Sequence, residues 1–515
     1  MTALPSARGR TLALLAALLG WMFDGMEMGL FPLVGKDALR ELLHVKERID
    51  AFDALAGVAA GTIFEKQLEA EVNKWYGVIM ACFLVGAATG GVVFGWLGDK
   101  IGRVRAMTVS VLLYSLCSGF SAASSSPEEL AVLRFLGALG MGGEWALGVA
   151  LVMEVWPNAS RAWLAGWIGA FGNFGYTLCG CIALALNHFK GELPSALTST
   201  GMPAEWAAAL TANGNWRLLM LAGAVPALLT LFIRLFVPES EKWVKEKEAG
   251  HASHWAVRDL LGVLVGAAAA LGIIALWASK IDFGLQVVGS LVGLAIVIVG
   301  YLMPARGYLS RCGLHPEAQR RTLGRMLLAA GLSGVALLGT WAGLMWVYMW
   351  VGELPNGKAP DARAWLQIAT SIGAAIGCLT GAVLGEVFGR RPVYAALCVL
   401  SMVSMIAFYR QPDPVYGTAF VLFAAVLGMI SAAFYGWLPL YLPELFPTAV
   451  RATGQGFGFN FGRIIAAVGQ LQMANLLAAF DGDYAQACAI VAGVYLVGLV
   501  LIAFAPETKG QPLPE

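Results

Sequence analysis

Charge is what this sequence has least of. Asp, Glu, Lys and Arg make up 13% of its 515 residues and hydrophobic residues 58%, whereas soluble domains are about one quarter charged. Such a chain is solvated by lipid. Lys and Arg total 34 against 33 for Asp and Glu, a net charge of +1, so no basic or acidic field points to nucleic acid. Alternating segments of about ten residues, the mark of a membrane β-barrel, are also missing. Helices, which satisfy their own backbone within lipid, remain as the spanning elements. Cysteine is sparse, at eight residues. Cys82, Cys117, Cys179, Cys181, Cys378, Cys398 and Cys488 fall in apolar runs and Cys312 in a basic loop, which argues against a disulfide framework. Cys179 and Cys181 lack the spacing and the second ligand pair of a zinc site. With no nucleophile, metal or phosphate motif, neither an enzyme nor a cofactor is expected.

What is present is a series of apolar runs, each near the roughly 20 residues needed to cross a hydrocarbon core of about 30 Å. Fourteen spans are expected, at about 12–34, 75–97, 106–123, 128–153, 162–187, 216–236, 259–278, 283–303, 326–350, 365–385, 393–408, 415–441, 452–477 and 485–505. The first follows Arg8 and Arg10, has no small-residue cleavage site and contains Asp24 and Glu27, so it reads as retained rather than cleaved. With both termini cytoplasmic, the loops carrying Lys100, Arg103 and Arg105, then Lys242 to Arg258, then Arg306 to Arg325, then Arg390 and Arg391, all fall inside, as the positive-inside bias requires. Segments 36–74 and 190–215 are too polar to span and fall outside, as caps on the outer mouth.

The second half repeats the loop chemistry of the first. Gly98-Asp99-Lys100-Ile101-Gly102-Arg103 returns as Gly385-Glu386-Val387-Phe388-Gly389-Arg390, an offset of 386 − 99 = 287. Glu154, Pro157 and Arg161 return as Glu444, Pro447 and Arg451 at 444 − 154 = 290, and Asn173-Phe174-Gly175 returns as Asn460-Phe461-Gly462 at 460 − 173 = 287. This is a parallel duplication. It divides the chain into a six-helix half at 1–238 with the insertion 36–74, a linker with an extra two-helix hairpin at 239–325, and a second six-helix half at 326–515.

The run Gly95 to Arg105, the stretch Pro443 to Thr448 and the terminal Pro506-Glu507-Thr508-Lys509-Gly510 resemble the major facilitator superfamily. Within it, Asp24-Gly25-Met26-Glu27, Gly140 to Trp145 and Glu154-Val155-Trp156-Pro157 are similar to the sialic acid:proton symporters and related organic-acid symporters, which also carry two extra central spans. The resemblance implies an all-α major facilitator fold in an inner membrane, a monomer, and transport of a small molecule with protons. The glycines of the repeated loops allow tight turns and close helix approach. Asp99 and Arg103 can pair across the loop or reach Glu444 and Arg451 of the other half. A cytoplasmic gate is expected at Gly95, Gly98, Asp99, Gly102, Arg103, Glu154, Arg161, Glu386, Arg390, Glu444 and Arg451, over and above the topological anchoring that every such arginine provides.

Charges within the spans cost about 2.5–3.5 kcal/mol each even on lenient scales, which makes retained ones functional candidates. Asp24 and Glu27, at i and i+3, share a face of the first span, and Arg134 in the fourth falls at a similar depth. The three read as a proton-coupling network, against the simpler alternative of a static ion pair holding two helices together. Glu144, deeper in the fourth span, is a second proton candidate. Arg463 lies near mid-membrane with no acidic residue of its own half at that depth, so a substrate carboxylate or a first-half carboxylate is its expected partner. Asn173, Tyr176 and Asn460 face it across the pseudo-two-fold axis, as midplane sites at repeat interfaces do. Trp341, Tyr435 and Gln470 complete the expected substrate site. The resulting expectation is proton-coupled symport of an anionic sugar acid or other organic acid, with a neutral sugar porter, an exporter or a transport-inactive receptor as the alternatives.

Overall fold

The computed structural model describes the chain except for residues 1–6, 57–61, 156–160, 230–256, 280, 312–314, 447–450, 512–513 and 515. Among the described residues every regular element is a helix. The first group is α1 (Ala7–Leu42), α2 (Val45–Ala56), α3 (Thr62–Ile101), α4 (Arg103–Ser121), α5 (Pro127–Val155), α6 (Arg161–His188), the short α7 (Leu193–Ser199) and α8 (Ala204–Thr211), and α9 (Trp216–Ala222). Then come α10 (Arg258–Ala278) and α11 (Phe283–Arg311). The last group is α12 (Pro316–Leu338), α13 (Val347–Trp350), α14 (Ala362–Phe388), α15 (Arg390–Tyr409), α16 (Thr418–Ala432), α17 (Phe434–Tyr441), α18 (Arg451–Ala479), α19 (Tyr484–Val491) and α20 (Val494–Ala503). Eleven helical stretches among the described residues are long and apolar enough to cross a membrane. Helices α5 and α18, of 29 residues each, pack against those stretches. The expected sixth span at 216–236 continues from α9 beyond the described residues.

The duplicated loops have a duplicated backbone. Gly102, between α3 and α4, and Gly389, between α14 and α15, both take positive φ, 112° and 102°, a region that favours glycine. The same offset governs the helix crossings. A Cβ at Gly86 or Gly90 of α3 would strike the carbonyls of Phe135 and Leu139 on α5, and a Cβ at Gly373 or Gly377 of α14 would strike those of Ala425 and Met429 on α16. The glycine pairs are separated by 373 − 86 = 287 and 377 − 90 = 287. Small residues let spanning helices approach closely enough for dispersion to hold them, since lipid supplies no hydrophobic drive between helices. Gly377→Ala should therefore destabilise the second half by about 1–3 kcal/mol through overpacking, seen as a lower thermal midpoint in detergent. Gly324→Ala, whose added Cβ would meet nothing within 4 Å in an exposed helix position, should not lower the midpoint, since Ala is the better helix former.

The two groups of helices meet along two seams, α6 on α14 and α3 on α18. Helices α10 and α11 form an antiparallel pair, with Gly262 against the Gly300 backbone. They pack at the second seam: Tyr301 Oη is 2.7 Å from Thr89 Oγ1 of α3, and its ring faces Phe461 of α18 at 6.3 Å.

Segment 36–74, expected outside the membrane, is built partly from extensions of its neighbouring helices. Helix α1 runs on to Leu42 and α3 begins at Thr62, so their 36 and 40 residues reach about 54 and 60 Å, well beyond a core of about 30 Å. Good helix formers such as Glu, Lys, Arg and Ala carry the helices past the apolar run. Arg48 to Glu71 at 2.9 Å and the stacked Phe52–Phe64 rings, 4.6 Å apart, fold α2 back on α3. The 326–350 span departs from expectation. After Leu338 it passes through a π-turn at Gly339–Gly343 and a 3₁₀ turn at Leu344–Trp346 before α13 resumes.

Candidate functional site

A cavity of about 140 Å³ lies between the two halves. Its walls come from α1, α6, the irregular segment after α12, α14, α17 and α18. Helix α1 contributes Trp21, Asp24 and Met28, an i, i+3, i+7 stripe on one helix face. Five of the expected residues line it: Asn173, Tyr176, Trp341, Tyr435 and Arg463, together with Asp24. Most of the remaining wall is apolar, with Leu337, Leu344, Met345, Ile168 and Phe459 among its members.

Arg463 enters from α18 and stacks its guanidinium 5.2 Å from the Phe459 ring centre. It is buried, and its Nη1 donates to no hydrogen-bond acceptor among the described residues. Asp24 is the carboxylate whose charge acts on it from the opposite half. Around them the polar groups are tied to one another: Tyr435 Oη donates to Thr340 Oγ1 at 2.9 Å, and Tyr348 Oη lies 2.8 Å from Thr370 Oγ1. Asn173 Nδ2 donates to the Gly169 carbonyl at 2.9 Å, and Gln367 Nε2 to the Tyr176 carbonyl at 3.0 Å across the α6–α14 seam.

The expected three-residue acid and arginine network separates into two. Glu27 takes Arg134 alone, Oε1 to Nη1 at 2.5 Å, with Arg134 Nη2 also 3.2 Å from the Glu27 carbonyl. The pair is sealed, at 1% and 2% exposure, and the guanidinium sits 4.8 Å from the Phe83 ring centre. Asp24 instead faces the cavity and has Glu144 of α5 as its neighbour. Glu144 is fully buried against Gly20, one turn before Asp24, where a Cβ would strike its Oε1. Three residues turn a helix by about 300°, so the two acids differ by about 60° in direction. That difference sends Glu27 toward α5 and Asp24 into the cavity.

Asn460 and Gln470 are not brought to the cavity wall. Asn460 packs on Gly91 of α3. Gln470 accepts from Trp346 Nε1 at 3.0 Å and donates to the Trp341 carbonyl, so it satisfies backbone freed by the break after α12, as broken spanning helices require. Trp21, Tyr348, Thr370 and Phe459 line the cavity and were missed. The helical spacing of Trp21 and Asp24 was the available signal for the first. Tyr348 depends on the break, which no sequence pattern announced.

The sugar (and other) transporter family model matches residues 49–263. A putative metabolite transport protein of Haemophilus influenzae is 26% identical, over 85% of this chain and 88% of its own length. The cis,cis-muconate transport protein of Acinetobacter baylyi is 22% identical, over 85% and 86%. The major facilitator superfamily proton:xylose symporter XylE, from Escherichia coli, superposes with a TM-score of 0.60 at 18% identity, covering 99% of this chain and 98% of its own. This chain has the major facilitator fold.

At the end of the transporter bearing Gly102 and Gly389, the expected gate residues form a built structure in the second half. Arg390 grips Glu444 through Nε and Nη2, at 3.0 and 2.7 Å, and its Nη1 donates to the Gly385 carbonyl at 2.7 Å. Glu444 Oε2 also accepts from Thr508 Oγ1 at 2.6 Å. The sequence reading has Asp99 and Arg103 pair with each other or reach Glu444 and Arg451 of the other half; in the structure Arg390 of its own half engages Glu444 in two-point geometry. Glu507 accepts the backbone N–H of Arg390 at 2.9 Å and of Arg391 at 3.0 Å, capping the α15 N-terminus. Burial opposes the charge on Glu507, yet these backbone donors outweigh it and hold the carboxyl below its ordinary range. Gly95 and Gly98 lie in the last turns of α3, Arg103 opens α4, and Glu386 lies near the end of α14. The side chains of Asp99, Glu154, Arg161 and Arg451 are outside the described set.

Proposed function

We propose that the transporter carries a compact organic acid together with protons, by alternating access of the cavity to the two sides of an inner membrane. The observation that carries this reading is Arg463: a buried cation with an open Nη1, stacked on an aromatic ring and facing an apolar-walled cavity. An unpaired charge in such a place is costly, and an anionic ligand relieves the cost. Of the acids expected from the sequence, the smaller and less hydroxylated are favoured. A volume of about 140 Å³ lies below the roughly 300–1,000 Å³ of pockets for drug-sized ligands. The muconate carrier among its relatives, named for a dicarboxylate, supports the same class.

Asp24 and Glu144 are the groups that take up the proton in this reading. Two neighbouring buried carboxyls cannot both hold a charge cheaply, so one binds a proton where the cavity is open to an acid side and releases it on the other. Asn173, Tyr176, Trp341 and Tyr435 form the substrate wall, and the protein works as a monomer. The deciding measurement is uptake of labelled small carboxylates into proteoliposomes with and without an inward proton gradient. Accumulation only with the gradient is the expected result. Equal uptake in both, or preference for a neutral hexose over every acid, would overturn the reading.

A further inference from the structure

The hairpin of α10 and α11 carries features that the cavity does not use. Both helices are long and apolar enough to cross a membrane, and small residues draw them together where Gly262 meets the Gly300 carbonyl. On their exposed side the crossing leaves a groove of about 600 Å³. No charged or polar side chain lines it, from Leu261 and Val265 on α10 to Val292, Val299 and Met303 on α11. Between Val292 and Met303 it follows about 17 Å of α11, close to half of a hydrocarbon core of about 30 Å and so to the depth of one leaflet.

An arginine stands at the same end of the groove on each helix. Arg258 opens α10 and precedes Leu261 and Val265 by three and seven residues, so it shares their face. Arg306 follows Met303 and Val299 of α11 by the same intervals. The antiparallel register that sets Gly262 against Gly300 brings Arg258, four residues before Gly262, opposite Pro304, four residues after Gly300. Arg306 is two residues, about 3 Å, further along the axis. Both arginines are exposed, and neither pairs with an acid among the described residues. Helix α10 has 21 residues and reaches about 31 Å, a full hydrocarbon core, which puts Arg258 at the headgroup layer. Val257, its N-cap, offers no side chain to the first backbone N–H groups, and such groups favour an anion. In sequence this rim holds Arg258, Arg306, Arg311, Arg320 and Arg321 against Asp259 and Glu317.

We infer that the hairpin binds one anionic glycerophospholipid, its phosphate between Arg258 and Arg306 and an acyl chain along the groove. Arginines beside a span ordinarily anchor topology, but these two stand unpaired at the mouth of a groove that suits a hydrocarbon chain. A phospholipid joins the two chemistries in that order. Free phosphate would satisfy the arginines and leave the groove empty, and a lipid without net charge would fill the groove and leave the arginines unmatched. The groove alone gives no preference, because surrounding lipid is as apolar as its walls. The arginines supply it, each by about fivefold in affinity for an anionic head. None of this depends on what the protein carries.

Native mass spectrometry of the intact protein, released from detergent holding equal amounts of phosphatidylglycerol and phosphatidylethanolamine, reads the retained lipid. One phosphatidylglycerol per protein is expected. Arg258→Gln with Arg306→Gln should lower its affinity about 25-fold. Ala295→Phe, at an exposed position of the groove, fills it while keeping both charges and should lower retention as well. Arg105→Gln removes an exposed charge on α4 and should leave retention unchanged. Thermal midpoints equal to wild type in lipid-free detergent show that the variants are folded. Retention by the double arginine variant equal to wild type would overturn the inference. So would an equal loss in Arg105→Gln, which would reduce the two arginines to a general field, or displacement of the lipid by excess inorganic phosphate, which would leave an anion site without a chain.

Discussion

Arg463→Gln should lower carboxylate affinity by about a hundredfold. One charge-assisted hydrogen bond to a buried guanidinium contributes roughly 1.5–3 kcal/mol, and each 1.4 kcal/mol is tenfold in Kd. The higher end applies because the guanidinium is buried behind a largely apolar wall. Gln keeps the size and polarity of the stem but neither the charge nor the planar fork. The comparison that isolates the effect is between an acid and its primary amide, measured by calorimetry or ligand-induced thermal shift. The amide should bind wild type and variant alike while the acid loses its advantage. If the acid binds the variant as tightly as wild type, Arg463 is a structural cation and the carboxylate reading falls.

The second large effect separates the two buried acids of α1, Asp24 and Glu27. Glu27→Gln removes the one carboxylate that pairs with Arg134 among the described residues, in a site that is 1–2% exposed. Breaking one side of such a pair leaves a buried cation and costs about 3–5 kcal/mol, so this variant should lose folded protein and stability before any question of transport arises. Asp24→Asn removes a group that faces the cavity beside Glu144, and it should fold. Its expected phenotype is loss of gradient-driven accumulation, with substrate exchange retained between two sides of equal concentration. Counterflow and accumulation measured on the same proteoliposomes decide it. An Asp24→Asn transporter that still concentrates its substrate against a gradient would remove Asp24 from the proton path.

Much of the fold was legible because membrane helices are coded locally. An apolar run of sufficient length, bounded by basic loops, needs no distant partner to be recognised, and the expected spans agree with most of the observed helices. The offset of 287 was legible for a related reason: Gly102 is required by one turn, and the duplicated turn requires Gly389 again. Less was legible where helices leave lipid. The polar stretch after residue 34 read as lying outside the membrane; that its first and last parts extend α1 and α3 was not legible. The site was legible as a set of unusual residues but not as an arrangement. Asp24, Glu27, Arg134, Glu144 and Arg463 were all conspicuous as charges in apolar runs, while Asn460 and Gln470 were assigned to a cavity wall they do not reach.

The sequence by itself determined that this chain is a duplicated helical membrane protein and which buried charges it must accommodate. Length, hydropathy and the price of an unpaired charge in lipid act on each segment separately, so they can be read one segment at a time. Only the tertiary structure decided which charge meets which. The pairing of Glu27 with Arg134, the exposure of Asp24 to the cavity, the return of Glu444 to Arg390 and the outer link of Lys36 to Glu353 depend on helix rotations of tens of degrees. Those rotations are set by glycine crossings and by Gln470 holding the break after α12. They are contacts between residues on different helices, distant in sequence, where no periodicity within one helix carries the information.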